Sequence, residues 1–137
     1  MIDIENDVYS QVASAVRNAH PGTSVSGEYI EVPSSFPAVT LAESDNRIFT
    51  EMRTTKIENA VRVMYEARVW SNKAKGKKAE AKAIMDTVDS TMESLGFTRT
   101  FRSQIPNLQQ ATIFQLISRY EAVVGPHGDN GYLIYQS

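Results

Sequence analysis

The chain has 137 residues, 42% of them hydrophobic and 22% charged, with a formal net charge of -2 and no cysteine. This is the composition of one ordinary globular domain, residues 1–137, large enough for a single core without a disulfide framework or a thiolate metal site. It excludes a protein that grips phosphates with its whole surface, which would be basic overall. The start, MIDIENDVYS, is acidic and lacks a signal-peptide charge pattern. No apolar run approaches the roughly 20 residues of a helical membrane span. The expectation is a protein soluble where it is made, most simply in a cytoplasm, with no membrane partner.

Ile4, Val8, Val12, Ala15, Val16 and Ala19 recur at helical spacing. Asp3 or a near neighbour is placed to cap this first helix, and His20-Pro21-Gly22 ends it, because proline cannot continue the hydrogen-bond ladder. Glu28–Val32 reads as a short strand, Pro33–Pro37 as a turn, and Ala38–Glu43 as a second strand. Ser44–Ile57 is polar and weakly patterned, and reads as a long loop or extended hairpin end.

Asn59–Ser71 carries the clearest strand signal. Val61, Val63, Tyr65, Ala67 and Val69 alternate with Arg62, Met64, Glu66, Arg68 and Trp70. The first set faces a core, and the second meets solvent or another subunit. After the lysine-rich segment SNKAKGKKAEAK comes a helix with the stripe Ala81, Ile84, Met85, Val88, Met92 and Leu95. Gly96 suits the left-handed C′ position, with Phe97 packing back onto the helix and opening a strand, FTRTFR, that QIPN breaks. A long strand, Ala111–Gly125, presents Thr112, Phe114, Leu116, Ser118, Tyr120, Ala122 and Val124 to one side and Ile113, Gln115, Ile117, Arg119, Glu121 and Val123 to the other. Residues 125–137 read as a hairpin or C-terminal tail: Asn130-Gly131 is a hairpin turn signal and YLIYQ a short closing strand. The order predicts an α+β fold, a mainly antiparallel sheet with two helices packed on one face.

No catalytic constellation emerges. His20 and His127 are the two histidines, both read as solvent-exposed turn residues, and neither has metal-ligand spacing. No Gly-x-Ser-x-Gly elbow supports a triad, and GPHGDNG lacks the Lys-Ser/Thr of a phosphate-binding loop. Glu28 and Glu31, three apart on the expected strand, point to opposite faces and cannot act as a carboxylate pair. Glu43 and Asp45 read as solvated residues at a strand end. The expectation is a protein that is not an enzyme, with no catalytic residues, no metal and no cofactor. A small enzyme with a concealed polar pocket is the competing class.

The lysine segment holds Lys73, Lys75, Lys77, Lys78 and Lys82 against one acid, Glu80. Cations at a helix N-terminus face the positive end of its dipole, so local helix stability does not account for them. A solvated loop, contact with an acidic protein surface, and DNA passing nearby are the three readings, in that order. The segment lacks the interleaved aromatics of a single-strand binding platform.

The whole pattern resembles a family. A short N-terminal helix leads to FPAVTL and a polar stretch, then to VRVMYEARVWSNKAKGKKAEAKAIMDTVDSTMESLGF, and RYEAVV lies in a late strand. From about residue 4 to residue 124 this is similar to the tail terminator (tail completion) proteins of long-tailed bacteriophages. GPHGDNGYLIYQS lies outside the resemblance. What it implies is an α+β structural protein of the virion, assembled in the host cytoplasm and placed at the head-proximal end of the tail. It would form a homo-oligomeric, hexameric ring that caps the tail tube, stops its polymerisation and offers a surface to the head's connector or neck protein. DNA would pass through the ring without specific binding. A head-completion or neck protein at the same junction is the alternative, and a nucleic-acid-binding accessory protein a more distant one. Expected partner contacts are Lys73, Lys75, Lys77, Lys78, Arg62, Trp70, Tyr132, Ile134 and Tyr135, with the Ser44–Thr55 segment and the Tyr132–Gln136 tail as further candidate surfaces.

Overall fold

The computed structural model describes residues 4–28, 33–48, 61–105, 112–125 and 133–135. In chain order these form α1 (Glu5–Ala19), β1 (Ser24–Ser26), β2 (Ala38–Ile48), β3 (Val61–Ser71), α2 (Lys77–Ser94), β4 (Thr98–Ile105), β5 (Phe114–Gly125) and β6 (Leu133–Tyr135). The strands make one sheet in the order β1-β2-β3-β5-β4, and β6 also pairs with β5. Only β1 and β2 pair in parallel among the described residues; the other ladders are antiparallel. This is the α+β fold expected from the sequence.

β3 is the axis of the sheet. It pairs with β2 from Val61 to Trp70 and with β5 from Val61 to Ser71. Because β4 and β3 are both antiparallel to β5, they run parallel to each other with β5 between them. α2 carries the chain across the sheet from the end of β3 to the start of β4, so its apolar stripe lies over the central strands. Ala81, Ile84, Met85, Val88 and Met92 are all buried, against Val63, Tyr65, Ala67 and Val69 of β3 and Tyr120, Ala122 and Val124 of β5. α1 packs beside α2 and contributes Val8, Val12 and Val16 to the same core. Tyr65 and Phe97 meet edge to face at 5.3 Å, a geometry that aromatic quadrupoles favour.

Backbone hydrogen bonds mark where α2 stops. The Gly96 N–H bonds the Glu93 carbonyl and the Phe97 N–H bonds that of Met92. Gly96 has φ +99°. This is a Schellman motif, closed by the apolar pair Phe97 and Met92. Leu95 is the helix C-cap and only partly buried, so the stripe's last fully buried residue is Met92. At the other end Gly76 caps α2 with φ +89° and no side-chain cap bond.

Several boundaries differ from the sequence reading. β2 runs on to Ile48 through a bulge between Glu43 and Asp45, so Ser44 to Ile48 is strand; residues 49–60 lie outside the described residues. Two residues set against one at a bulge break the alternation that makes a strand visible in sequence. Glu28 is a bend residue, and residues 29–32 lie outside the described residues. The first strand is instead Ser24–Ser26, too short and polar to carry a periodic signal. Phe97 belongs to the helix cap, and β4 runs on through Gln104 to Ile105, the residue before Pro106. The α1 N-cap residue is Ile4, without a side-chain cap bond.

Two outcomes follow from this packing. Ile84→Ala, at a position 1% exposed in the main cluster, is expected to cost about 2–5 kcal/mol in denaturant unfolding, the range for a buried aliphatic truncation. Gly76→Val forces a β-branched residue into the left-handed region and is expected to cost about 1–2 kcal/mol, although open space surrounds the position a Cβ would take.

Candidate functional site

The strand alternation divides the sheet into two chemically different faces. Opposite the helices lie Arg62, Met64, Glu66 and Arg68 of β3 and Arg119 and Glu121 of β5, none of them fully buried. They form short ion-pair chains. Arg62 pairs with Glu121, while Glu66 receives Arg68 at 2.8 Å and Arg119 at 3.2 Å. Arg119 also lies over the Phe101 ring of β4, 5.1 Å from its centroid. Phe101 is 43% exposed and is the large hydrophobic that this face leaves open among the described residues. An aromatic ring stacked with a guanidinium in this way stays exposed at little cost, with the cation held over its face.

Trp70 lies on this face but is 2% exposed, in a small cluster with Ala38, Ile113 and Phe36. The segment before β2 and the start of β5 cover it, so in this chain Trp70 is a packing residue and not the exposed contact expected from the sequence. Arg62 is placed as expected on the outer face, although engaged with Glu121. Tyr132 lies outside the described residues. Ile134 and Tyr135 are in β6, in register with Val124 and Val123. The closing strand thus extends the sheet of its own chain along the part of β5 that β4 does not reach.

The lysine segment follows β3 at the sheet end where Ala38 and Phe114 lie. The buried Ser71 hydroxyl donates to Glu80 at 2.7 Å and accepts the Lys73 N–H at 3.3 Å, which anchors the loop at both ends. Lys73, Lys75 and Lys78 are exposed and Lys77 half-buried. The four thus lie on the loop after β3 and the first turn of α2.

On the helix side a polar junction joins α2 to the sheet edge. The Asp89 carboxylate accepts the Tyr120 hydroxyl, Arg99 at 2.7 Å and Arg102 at 2.6 Å; Arg102 also reaches Asp86 at 3.3 Å. Burial first, and then the hydrogen bond and negative charge of Asp89, push the Tyr120 phenol above its ordinary range. A phenol held protonated in this way is a donor to Asp89, not a nucleophile. Asp89, Glu93, Phe97, Arg99 and Tyr120 line a shallow cleft of about 410 Å³ beside this junction. Sequence reasoning missed the junction. Asp86 and Asp89 sit three apart on one helix face, but Arg99 and Arg102 fall on the same side of β4 only because a bulge lies between Arg99 and Phe101.

His20 is half-buried and bonds Thr87 at 2.9 Å, tying the end of α1 to α2, in place of the exposed turn residue expected. Glu43 and Asp45 are half-buried on either side of the β2 bulge, not at a strand end. His127 and Glu31 lie outside the described residues, and no group of three or more metal-ligating side chains occurs among the described ones.

Asp89→Asn is expected to cost about 1–3 kcal/mol, because it removes the charged acceptor that the Tyr120 hydroxyl, Arg99 and Arg102 share at a partly buried site, with Asp86 left to Arg102. The raised Tyr120 pKa also fixes a pH dependence. Above about pH 10 the unfolded tyrosine loses its proton while the folded one keeps it. The unfolded state then binds fewer protons, so stability is complete below that pH and falls above it. Comparing the alkaline unfolding of the wild type with Tyr120→Phe should show a shallower fall in the variant.

A scan against protein-family models finds no family that matches the chain, and a search of curated proteins finds no matching relative.

Proposed function

We propose that the chain is a tail terminator protein of a long-tailed bacteriophage, a structural subunit that closes into a ring on the completed tail tube. The observation that supports this reading most is the run of elements from β3 through the lysine loop, α2 and its Leu95-Gly96-Phe97 cap to β4 and β5. It has the chain order and element types that carry the family resemblance. The distribution of side chains agrees with an assembly role. Both helices pack on one face of the sheet, and the other face presents Phe101 among charged groups that pair with one another. The tail tube protein and the head's connector or neck protein are the partners on this reading. The ring's role is to stop tube polymerisation and to seat the head.

Particles assembled without this chain should carry overlong tubes, and reconstruction of complete particles should show a ring of it at the head-proximal end of the tail. Tails of normal length that fail to join heads would favour a neck protein, and complete particles lacking such a ring would overturn the ring reading. Phe101→Ser is expected to leave thermal stability nearly unchanged, as surface substitutions do, and to weaken assembly measured as the fraction of capped tubes. Unimpaired capping would remove Phe101 from the contact surface.

A further inference from the structure

Beneath the Asp89 junction two polar groups are buried side by side. Ser118 of β5 and Arg102 of β4 are register partners. Arg102 reaches the α2 carboxylates, and Ser118 alternates with Leu116 and Tyr120, which face the helix-side core. Ser118 is fully buried, and its hydroxyl has no hydrogen-bond partner among the described residues. The two terminal nitrogens of Arg102 are met by Asp86 and Asp89, but its Nε–H is buried and has no partner either. Polar atoms at such depth in native proteins are nearly always bonded, to protein or to ordered water, because leaving them unmet is costly.

Cross-strand neighbours on one face have Cβ atoms about 4.5–5.5 Å apart, so the two groups are close, yet they do not bond each other. The Tyr120 phenol joins them. Burial and Asp89 raise its pKa, and the Ser118 hydroxyl acts in the opposite sense, as a donor near the phenol oxygen does. The hydroxyl thus lies near that oxygen without closing a hydrogen bond to it. Ala67, the β3 partner of Ser118, brings only a methyl group to this layer.

The polarity of these atoms decides what they can hold. Arg102 Nε–H can only donate, so a bound species must accept there, which a metal or ammonium cation cannot do. The Tyr120 hydrogen is committed to Asp89, so the phenol oxygen can only accept, and a bare anion such as chloride has nothing to donate to it. The charge around the site is already balanced, Arg99 and Arg102 against Asp86 and Asp89. A small neutral molecule that both donates and accepts remains, and that molecule is water.

We infer that Arg102 Nε, Ser118 Oγ and Tyr120 Oη together bind one buried water molecule, which completes the Asp89 junction and ties β4 to β5. Three hydrogen bonds are the usual complement of such a water. The cleft lined by Asp89 and Tyr120 lies beside the site and gives the water a path to solvent. Most of β4 is exposed, so the water belongs to the small set of polar contacts that hold this edge of the sheet. The site is independent of the ring reading.

A high-resolution crystal structure of the full chain, grown with bromide in the buffer, tests the site directly. The expected result is one solvent peak about 2.7–3.2 Å from both Arg102 Nε and Ser118 Oγ, without the anomalous signal of bromide. Magnetic relaxation dispersion of the water oxygen tests it in solution, on the wild type, Ser118→Val and Ser118→Ala, with unfolding temperatures to confirm that each is folded. Ser118→Val places methyl groups where the water sits and is expected to lose one long-lived water relative to the wild type. Ser118→Ala leaves the room and two of the three hydrogen bonds, and is expected to keep the water with a residence time roughly three- to tenfold shorter. Should Ser118→Val fail to fold, the residence time in Ser118→Ala carries the solution test. A direct Arg102–Ser118 hydrogen bond with no solvent peak, bromide in the peak, equal water counts in the wild type and Ser118→Val, or an unchanged residence time in Ser118→Ala would each overturn the inference.

Discussion

β3 is hydrogen-bonded along nearly its whole length on both edges, with Val63, Ala67 and Val69 fully buried on the helix side. A strand held in this way cannot slip by one residue without turning Arg62, Glu66 and Arg68 into the core. Its register therefore fixes the register of β2 and β5. The line of α2 follows, because the helix must bury its stripe against the same residues. The central strands and α2 form one cooperative unit, and the outer elements are attached to it.

β4 is attached by a different chemistry. Most of its residues are exposed, so apolar burial contributes little to its docking. Arg99 and Arg102 instead reach back to Asp89 and Asp86 on α2, and Tyr120 of β5 shares the Asp89 carboxylate. One carboxylate that collects three donors from two strands is strong only while all are present, since each would otherwise be desolvated without a partner. The bulge and the two arginines also guard this edge of the sheet against unwanted strand pairing.

Arginine and lysine divide the surface between them. Planar guanidinium forks serve the ion-pair chains within the molecule, where two acceptors or an aromatic face are within reach, as for Arg102 and Arg119. The lysines of the loop take part in no ion pair among the described residues. That division separates charges paired within the fold from charges on an exposed loop.

Periodicity determined much of this protein in advance. The alternation in β3 and β5, the stripe of α2 and the Leu-Gly-Phe ending were legible because each depends on neighbours in sequence, and with them the α+β class. The parallel β1–β2 pair, the bulged extension of β2 and the Asp89 junction were not legible, because they depend on which strands lie side by side. The buried position of Trp70 escaped for the same reason. Its alternation assigns it to the outer face, but that face is covered at one end by Phe36 and Ile113. The lysine loop was visible as composition. The anchoring of its base by Ser71 and Glu80 was decided by the fold, because that contact depends on separation in space and not along the chain.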